Sequence, residues 1–265
     1  MYHLRNIDRK LPWLAVLCWA GLAFGEVLFA PATQADFGEK SPLRVDADGV
    51  VHGASQLAGC VKRVPIEPQA RYRLSAEFKK APGAPAGKVS GILGTMQYDA
   101  KGRLLKGVQN SFIAGSEAKL LGQVAAGDTV MVVEANPAWV AAVRKAPKRN
   151  YAAFLYARRD FGDMPSFSYC WIKSQTIQGK IIVLQLDRLP ALNAGSLVRL
   201  HVSGWISNGV EVQATDEWQQ ASVEIQGVSA QAALRHWWKG ATQFSLAVFG
   251  KDLLFRNLRL EKVEE

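Results

Sequence analysis

Histidine is scarce in this chain: four in 265 residues, at positions 3, 52, 201 and 236. No two of them have the spacing of a metal site, and no G-x-S-x-G, H-E-x-x-H or paired CxxC motif occurs. Carboxylates are outnumbered, 23 Asp and Glu against 32 Lys and Arg, and none sits in a recognisable pair for glycosidic cleavage. A non-catalytic role is therefore expected, with no cofactor. Blocks of five or six like charges are also absent, so the net +9 is dispersed. Such a surface attracts nucleic acid, anionic headgroups or acidic polysaccharide, or simply aids solubility beside a membrane. With no DNA- or RNA-binding motif, nucleic acid is not an expected partner. Cysteine is limited to Cys18, Cys60 and Cys170. The last two could pair in an oxidising compartment, or could be unrelated thiols.

One long apolar run is present. Residues 11–31 (LPWLAVLCWAGLAFGEVLFAP) carry a single charge, Glu26, and follow a polar stretch with Arg5, Arg9 and Lys10. Their number matches what a helix needs to cross ~30 Å of hydrocarbon. The preceding basic residues favour an N-terminus in the cytoplasm and a domain outside. The segment is an uncleaved anchor, or a signal peptide with the small-x-small site Ala30-Pro31-Ala32, cut before Thr33. Its length favours the anchor, which places the chain as a single-pass protein of the inner membrane. The organisation expected is anchor or signal over residues 1–32, a polar tether over 33–43, and one β-domain over 44–265.

The rest reads as short strands with turn punctuation. Residues 71–79 (RYRLSAEFK) alternate, with Tyr72, Leu74, Ala76 and Phe78 on one face, as in a half-buried antiparallel strand. Residues 89–98 are a strand, and Asp99-Ala100-Lys101-Gly102 is a hairpin turn from which residues 103–112 return. Residues 129–134 are a buried strand. Asn136 and Pro137 open a short helix over 138–144. Residues 151–156 (YAAFLY) read as central, and 166–175 carry Phe167, Tyr169 and Trp171 at alternate positions. Strands are also read within 210–226 and over 242–249 and 253–263, with a short helix or ordered loop over 230–239. Residues 193–206 (NAGSLVRLHVSGWI) stand at the centre of the expected sandwich. There Leu197, Leu200, Val202 and Ile206 can face a core, Arg199 and His201 fall on the polar parity, and residues 180–186 lie opposite.

Four stretches carry a resemblance. VPIEPQARYRLSAEFK (64–79) has a proline-containing run leading to a Y-x-L-S-x-x-x-K strand, and GILGTMQYDAKGRLL (91–105) is a strand–D-x-x-G–strand hairpin. AGSLVRLHVSG (194–204) is similar to an aGt-x-VR-x-H-x-x-G strand, and WWKGATQFSLAVFGKDLLFRNLRLEKV (237–263) to two closing strands preceded by a Trp loop. Together they resemble carbohydrate-binding-module-type, galactose-binding-like jelly rolls over residues 64–263. The implied fold is an all-β jelly-roll sandwich with one N-terminal transmembrane helix. Such modules stack sugars on exposed aromatic rings and can hold a structural Ca²⁺ between first and last strands. Asp46, Asp48 and Asp252 are the residues to consider for that ion, although three scattered carboxylates do not define a metal site. These motifs are turns and core positions, and fold does not imply function.

A sugar's C–H face is apolar and fits a flat ring, so Trp139, Trp171, Trp205, Trp218, Trp237 and Trp238 are considered, each against a place in the core. Adjacent Trp237 and Trp238 cannot both be buried on one face of a strand. The ligand-binding set expected is Trp237, Trp238, Trp171, Arg159, Arg199 and His201. The arginines could engage a uronate or sulfate, or Arg158, Arg159, Asp160 and Asp163 could pair among themselves. The leading expectation is non-catalytic binding of polysaccharide in the envelope. The second is an accessory subunit docking on partners in a membrane protein complex. A third, less favoured, is a lyase or hydrolase built on His201 with Tyr151 or Tyr156.

Overall fold

The alternation over residues 71–79 forms as the sequence predicts. Tyr72, Leu74, Ala76 and Phe78 are buried along the strand Arg71–Lys80 in the computed structural model, which describes residues 26–202, 208–230 and 235–264. That strand pairs antiparallel with Gln219–Ile225 on one side and Leu253–Val263 on the other. The sheet continues through the short strands Val51–His52 and Arg44–Val45. A second sheet runs Gly209–Ala214, Val89–Tyr98, Gln243–Phe249, Ala58–Gly59. The two sheets share one apolar core: Leu74, Phe78, Ile225 and Leu260 come from the first, and Leu93, Val212, Phe244 and Leu246 from the second. The chain is thus mostly β, with two antiparallel sheets packed as a sandwich.

Between Val89–Tyr98 and Gly209–Ala214 the chain leaves the sandwich and builds a second unit, where the sequence predicts one continuous sandwich. Its strands run in the order Ala118–Lys119, Leu197–Val202, Tyr151–Leu155, Tyr169–Gln178, Ile181–Leu186, Val130–Glu134. A bridge between Leu120 and Val133, with Leu121 N donating to Val132 O at 2.9 Å, joins the last strand back to the first. The six strands therefore form a barrel, closed at this seam. Val133, Leu155, Leu184, Val198 and Leu200 fill it. The helix Pro137–Lys145 starts where the sequence places it, with the Asn136 side chain accepting from Ala138 N and Trp139 N. It drives Trp139 into the barrel core, where Nε1 donates to Gln175 at 3.0 Å.

Three further expectations change. The strand Leu197–Val202 belongs to the barrel and pairs with Tyr151–Leu155, while Ile181–Leu186 pairs with Tyr169–Gln178 and Val130–Glu134. The inward residues are Val198, Leu200 and Val202, and Ile206 lies outside the described residues. Residues 103–112 form no returning strand. After the bridge Tyr98–Leu104, the chain turns at Gly107–Gln109 and runs beside Leu197–Val202, with Val202 N donating to Ser111 O. Residues 33–43 are folded: Thr33 caps the helix Gln34–Phe37, Phe37 and Leu43 are buried in the sandwich core, and Gln34 bonds Gly38 O, Leu43 O and Val45 N.

The chain before that helix is also part of the fold. Glu26–Phe29 is a strand paired with the C-terminal strand, where the sequence predicts the end of a membrane anchor. Among the described residues no helix is long and apolar enough to cross a membrane. The anchor expected within residues 1–32 falls mainly on residues 1–25, outside the described ones.

Candidate functional site

Residues 198, 200 and 202 point into the barrel, so Arg199 and His201 point out of it. That outer face is covered. Arg199 Nε donates to Glu117 Oε1 at 2.8 Å, and its two terminal nitrogens donate to Asp163 at 3.2 and 3.1 Å. One of them also donates to the Arg158 carbonyl. The guanidinium lies 5.3 Å from the Phe112 ring centroid and 4.8 Å from that of Phe161, and it is fully buried. Four of the five N–H donors of Arg199 are thus used, and the buried group holds the 158–163 loop onto the barrel. Within that loop Arg158 pairs with Asp160 at 2.9 Å. Arg159 is exposed and makes no ion pair among the described residues.

His201 is fully buried as well. Its Nδ1 lies 2.7 Å from the Val108 carbonyl, which can only accept, so Nδ1 carries the proton. Burial pushes the imidazole down to about 3, helped by the charge of Arg199 and opposed by the Val108 bond and by Asp163. The ring stacks 3.6 Å from Phe154, and Phe154 stacks 4.7 Å from Tyr169. Tyr169 meets Trp171 edge-on at 5.7 Å. Arg199 and His201 are thus supports, where the sequence offers them as ligand contacts.

The stack runs from the interior to the surface. Trp171 at its outer end is 39% exposed, and Phe167 is equally so. The Arg103 guanidinium lies 3.8 Å over the Phe167 ring. Beyond Trp171 on the same strand, Lys173 reaches Asp187 at 2.8 Å. A flat ring is therefore presented at the barrel surface on an aromatic backing.

The other tryptophans differ. Trp237 and Trp238 form a two-residue strand parallel to Val228–Ser229, and both are buried, where the sequence predicts one exposed. Trp237 enters the sandwich core, edge-on to Tyr72 at 5.4 Å and 4.4 Å from Phe244. Its neighbour is covered because the barrel packs there. Lys239 Nζ donates to Phe161 O at 2.7 Å, and a Cβ at Gly240 would lie 2.4 Å from Pro165 Cδ. Trp218 is half-buried between the Lys79 ammonium at 4.8 Å and the Arg256 guanidinium at 4.1 Å. Trp205 lies outside the described residues.

Asp46 accepts from Val50 N at 2.8 Å and lies 3.5 Å from His52, in the manner of a turn cap. Among the described residues no group of three His, Cys, Asp or Glu side chains could hold a metal. Cys60 and Cys170 are both free thiols, one in the sandwich core and one against the barrel core.

Three features escape sequence reasoning. A polar groove of about 380 Å³ lies between residues 30–32, the turn at Asp48 and Gly49, and the bulge at residues 256–259. Its arginines are occupied, Arg256 by Glu77 at 2.6 Å and Arg259 by Glu261 at 3.6 Å. Second, Leu121 and Val130 are exposed beside half-buried Val132, Ile181 and Val183, on the side of the barrel wall opposite inward Met131, Val133, Ile182 and Leu184. Third, Thr95 Oγ1, Gln97 Nε2 and Asn208 Oδ1 are buried without a hydrogen-bond partner among the described residues. Thr95 and Asn208 face each other across the pairing of Val89–Tyr98 with Gly209–Ala214, since Thr95 N donates to Asn208 O. The sequence signals only one part of the first, the turn at Asp48 and Gly49, and not the groove it lines.

No family model, curated protein or solved structure matches the chain.

Proposed function

We propose that this chain is a non-catalytic, exported binding protein of the cell envelope, and that it takes polysaccharide on the outer wall of its barrel at Trp171. The sandwich, on this reading, is of the jelly-roll type and serves as the scaffold. The observation that carries the proposal is the stack His201–Phe154–Tyr169, which ends in a half-exposed Trp171. A rigid ring meets the apolar face of a sugar with little ordering cost. Exposed Arg159 and the cation at Lys173 suit an acidic glycan. The non-catalytic part is supported by His201. The imidazole a lyase-like site would use is enclosed, and burial keeps it neutral.

Affinity electrophoresis in gels loaded with acidic and neutral polysaccharides tests this. Retardation of the wild type is expected, and Trp171→Ala should weaken it about 5- to 30-fold, the loss of about 1–2 kcal/mol typical of an aromatic anchor. Trp218→Ala, on the other unit, should leave it unchanged. No retardation of the wild type in any gel sinks the proposal.

A second reading, an accessory subunit in a membrane protein complex, is favoured by the apolar outer wall at Leu121, Val130 and Val183. Gentle detergent extraction separates the two. A stable complex that Val130→Asp disperses supports the subunit, and a lone monomer retarded by glycan supports the binding protein.

A further inference from the structure

Charge is divided unevenly between the two units. In the barrel, residues 103–202, 13 Lys and Arg stand against 6 Asp and Glu. The described residues outside it nearly balance, 16 against 15. The barrel's excess is concentrated: residues 135–159 hold six cations and no acid. Four of the six, Arg144, Lys145, Lys148 and Arg149, fall at the end of the helix Pro137–Lys145 and in the turn after it. All four are exposed, and none makes an ion pair among the described residues. Arg144 and Lys145 suit the negative end of the helix dipole. That effect fades within the last turn, so it gives nothing to Lys148 and Arg149. Their repulsion is relieved only by an anion from outside the chain or by solvent ions.

The basic turn is fixed, and it adjoins the exposed ring. Arg149 N donates to Ala146 O at 3.1 Å, and Tyr151 Oη lies 2.9 and 3.1 Å from the carbonyls of Ala142 and Ala146. Three residues after Arg149, Ala152 pairs with Trp171 on the neighbouring strand. Three residues of strand span ~10 Å and paired strands lie ~5 Å apart, so the two backbones are within about 15 Å. Lys and Arg side chains cover part of that gap. Beyond Trp171 the same strand runs on to Gln178 past the helix, whose Trp139 Nε1 donates to Gln175.

We infer that the turn at residues 144–149 is a second contact for the polymer that stacks on Trp171, and that this polymer is polyanionic, bearing carboxylates or sulfates. The inference rests on the function proposed above and names the class of its ligand. The ring supplies contact with a sugar face and does not read charge. The turn supplies the reading of charge, with two guanidinium forks that match carboxylate or sulfate. One exposed ion pair is weak, so the turn acts by setting several cations against a chain of repeated charges.

The test is binding of the full chain to immobilised polygalacturonate, dextran sulfate and neutral dextran at low salt. The wild type should prefer an acidic polymer, and the choice between the first two separates carboxylate from sulfate. Salt should weaken that preference as it shortens the screening length. The double variant Lys148→Gln/Arg149→Gln should lose about 3- to 10-fold in Kd for the acidic polymer and nothing for dextran. Lys88→Gln/Lys251→Gln removes two exposed cations from the sandwich and is the control for net charge. Equal losses in the two double variants, or equal binding of acidic and neutral polymers, overturn the inference and leave polysaccharide binding at Trp171 standing. A loss in the turn variant with none in Trp171→Ala overturns the shared site. Binding to phosphatidylglycerol vesicles or to DNA, with none to any of the three polymers, overturns the inference and the proposed function together.

Discussion

Replacing Arg199 with methionine tests whether the strand Leu197–Val202 serves to hold the barrel together. Arg199 is fully buried, and its partners Glu117 and Asp163 have side chains 11% and 8% exposed. Met fills similar volume but leaves two nearly dry carboxylates without their cation and frees the Arg158 carbonyl. Removing one partner of a buried ion pair costs about 3–5 kcal/mol, because the remaining charge stays uncompensated. At a urea m-value near ~2 kcal/mol/M, that lowers the barrel's unfolding midpoint by about 1.5–2.5 M. The two units need not unfold together, so the readout must be local: hydrogen exchange of the barrel's own amides, such as those of Tyr151–Leu155 and Ile181–Leu186, followed against urea. A triple variant with Glu117→Gln and Asp163→Asn added should recover at least half the loss, since it removes the orphaned charges. A loss under about 1 kcal/mol in Arg199→Met, or no recovery in the triple variant, would refute the assignment of Arg199 as an electrostatic clamp.

Two further outcomes follow from buried groups. His201 stays neutral in the fold down to about pH 3, against an ordinary value of 6.5, so the unfolded chain binds the proton first as pH falls. Its contribution is intact above pH 6.5 and is lost below, by up to about 1.4 kcal/mol per pH unit. Urea midpoints at pH 7 and pH 5 should differ less in His201→Gln than in the wild type, and an equal difference would contradict the burial argument. The Thr95 hydroxyl is buried with no partner among the described residues, so isosteric Thr95→Val should match or exceed the wild type by up to about 1 kcal/mol in thermal or urea unfolding. A loss greater than about 1 kcal/mol would mean that the hydroxyl has a partner after all, such as an ordered water.

The parts legible in the sequence are those where one face is buried and the other wet. Tyr72, Leu74, Ala76 and Phe78 announce their strand because solvent lies behind them, and Asn136-Pro137 announces its helix through cap chemistry that needs nothing distant. The inserted barrel is not legible. Its strands resemble those of the sandwich in length and pattern, and only their pairing separates the units. Residues 187–194 look like a hairpin connection between 181–186 and 197–202. They instead cross the barrel mouth, with Leu189 N donating to Asp128 O and Leu192 bridging Val124. The fate of Trp237 and Trp238 is hidden for the same reason. One face is covered by the sandwich core and the other by a unit whose existence the local sequence does not signal. Phe167, Tyr169 and Trp171 are visible as an alternating aromatic run, but the stack behind them joins residues 154, 169 and 201, which only the fold brings together.

The insertion also explains why Trp237 and Trp238, which the sequence reading offers as ligand contacts with one of them exposed, are both buried. The resemblance to jelly-roll modules marks the loop before the closing strands as a place for exposed rings. Here that loop is the seat of the barrel: Lys239 bonds Phe161 O, and Gly240 leaves no room for a side chain against Pro165. A surface buried against a second unit cannot also bind polymer, so the binding proposed for this chain has to use surface that the insertion leaves exposed. Part of that exposed surface is the outer wall of the barrel. Two clusters stand there, the ring of Trp171 on its aromatic backing and the aliphatic patch around Leu121 and Val130. They differ chemically, since a flat ring suits a sugar face and an aliphatic patch suits protein. That difference makes Trp171→Ala and Val130→Asp a decisive pair: the first should weaken retardation by glycan without touching a protein complex, and the second should disperse a complex without touching retardation.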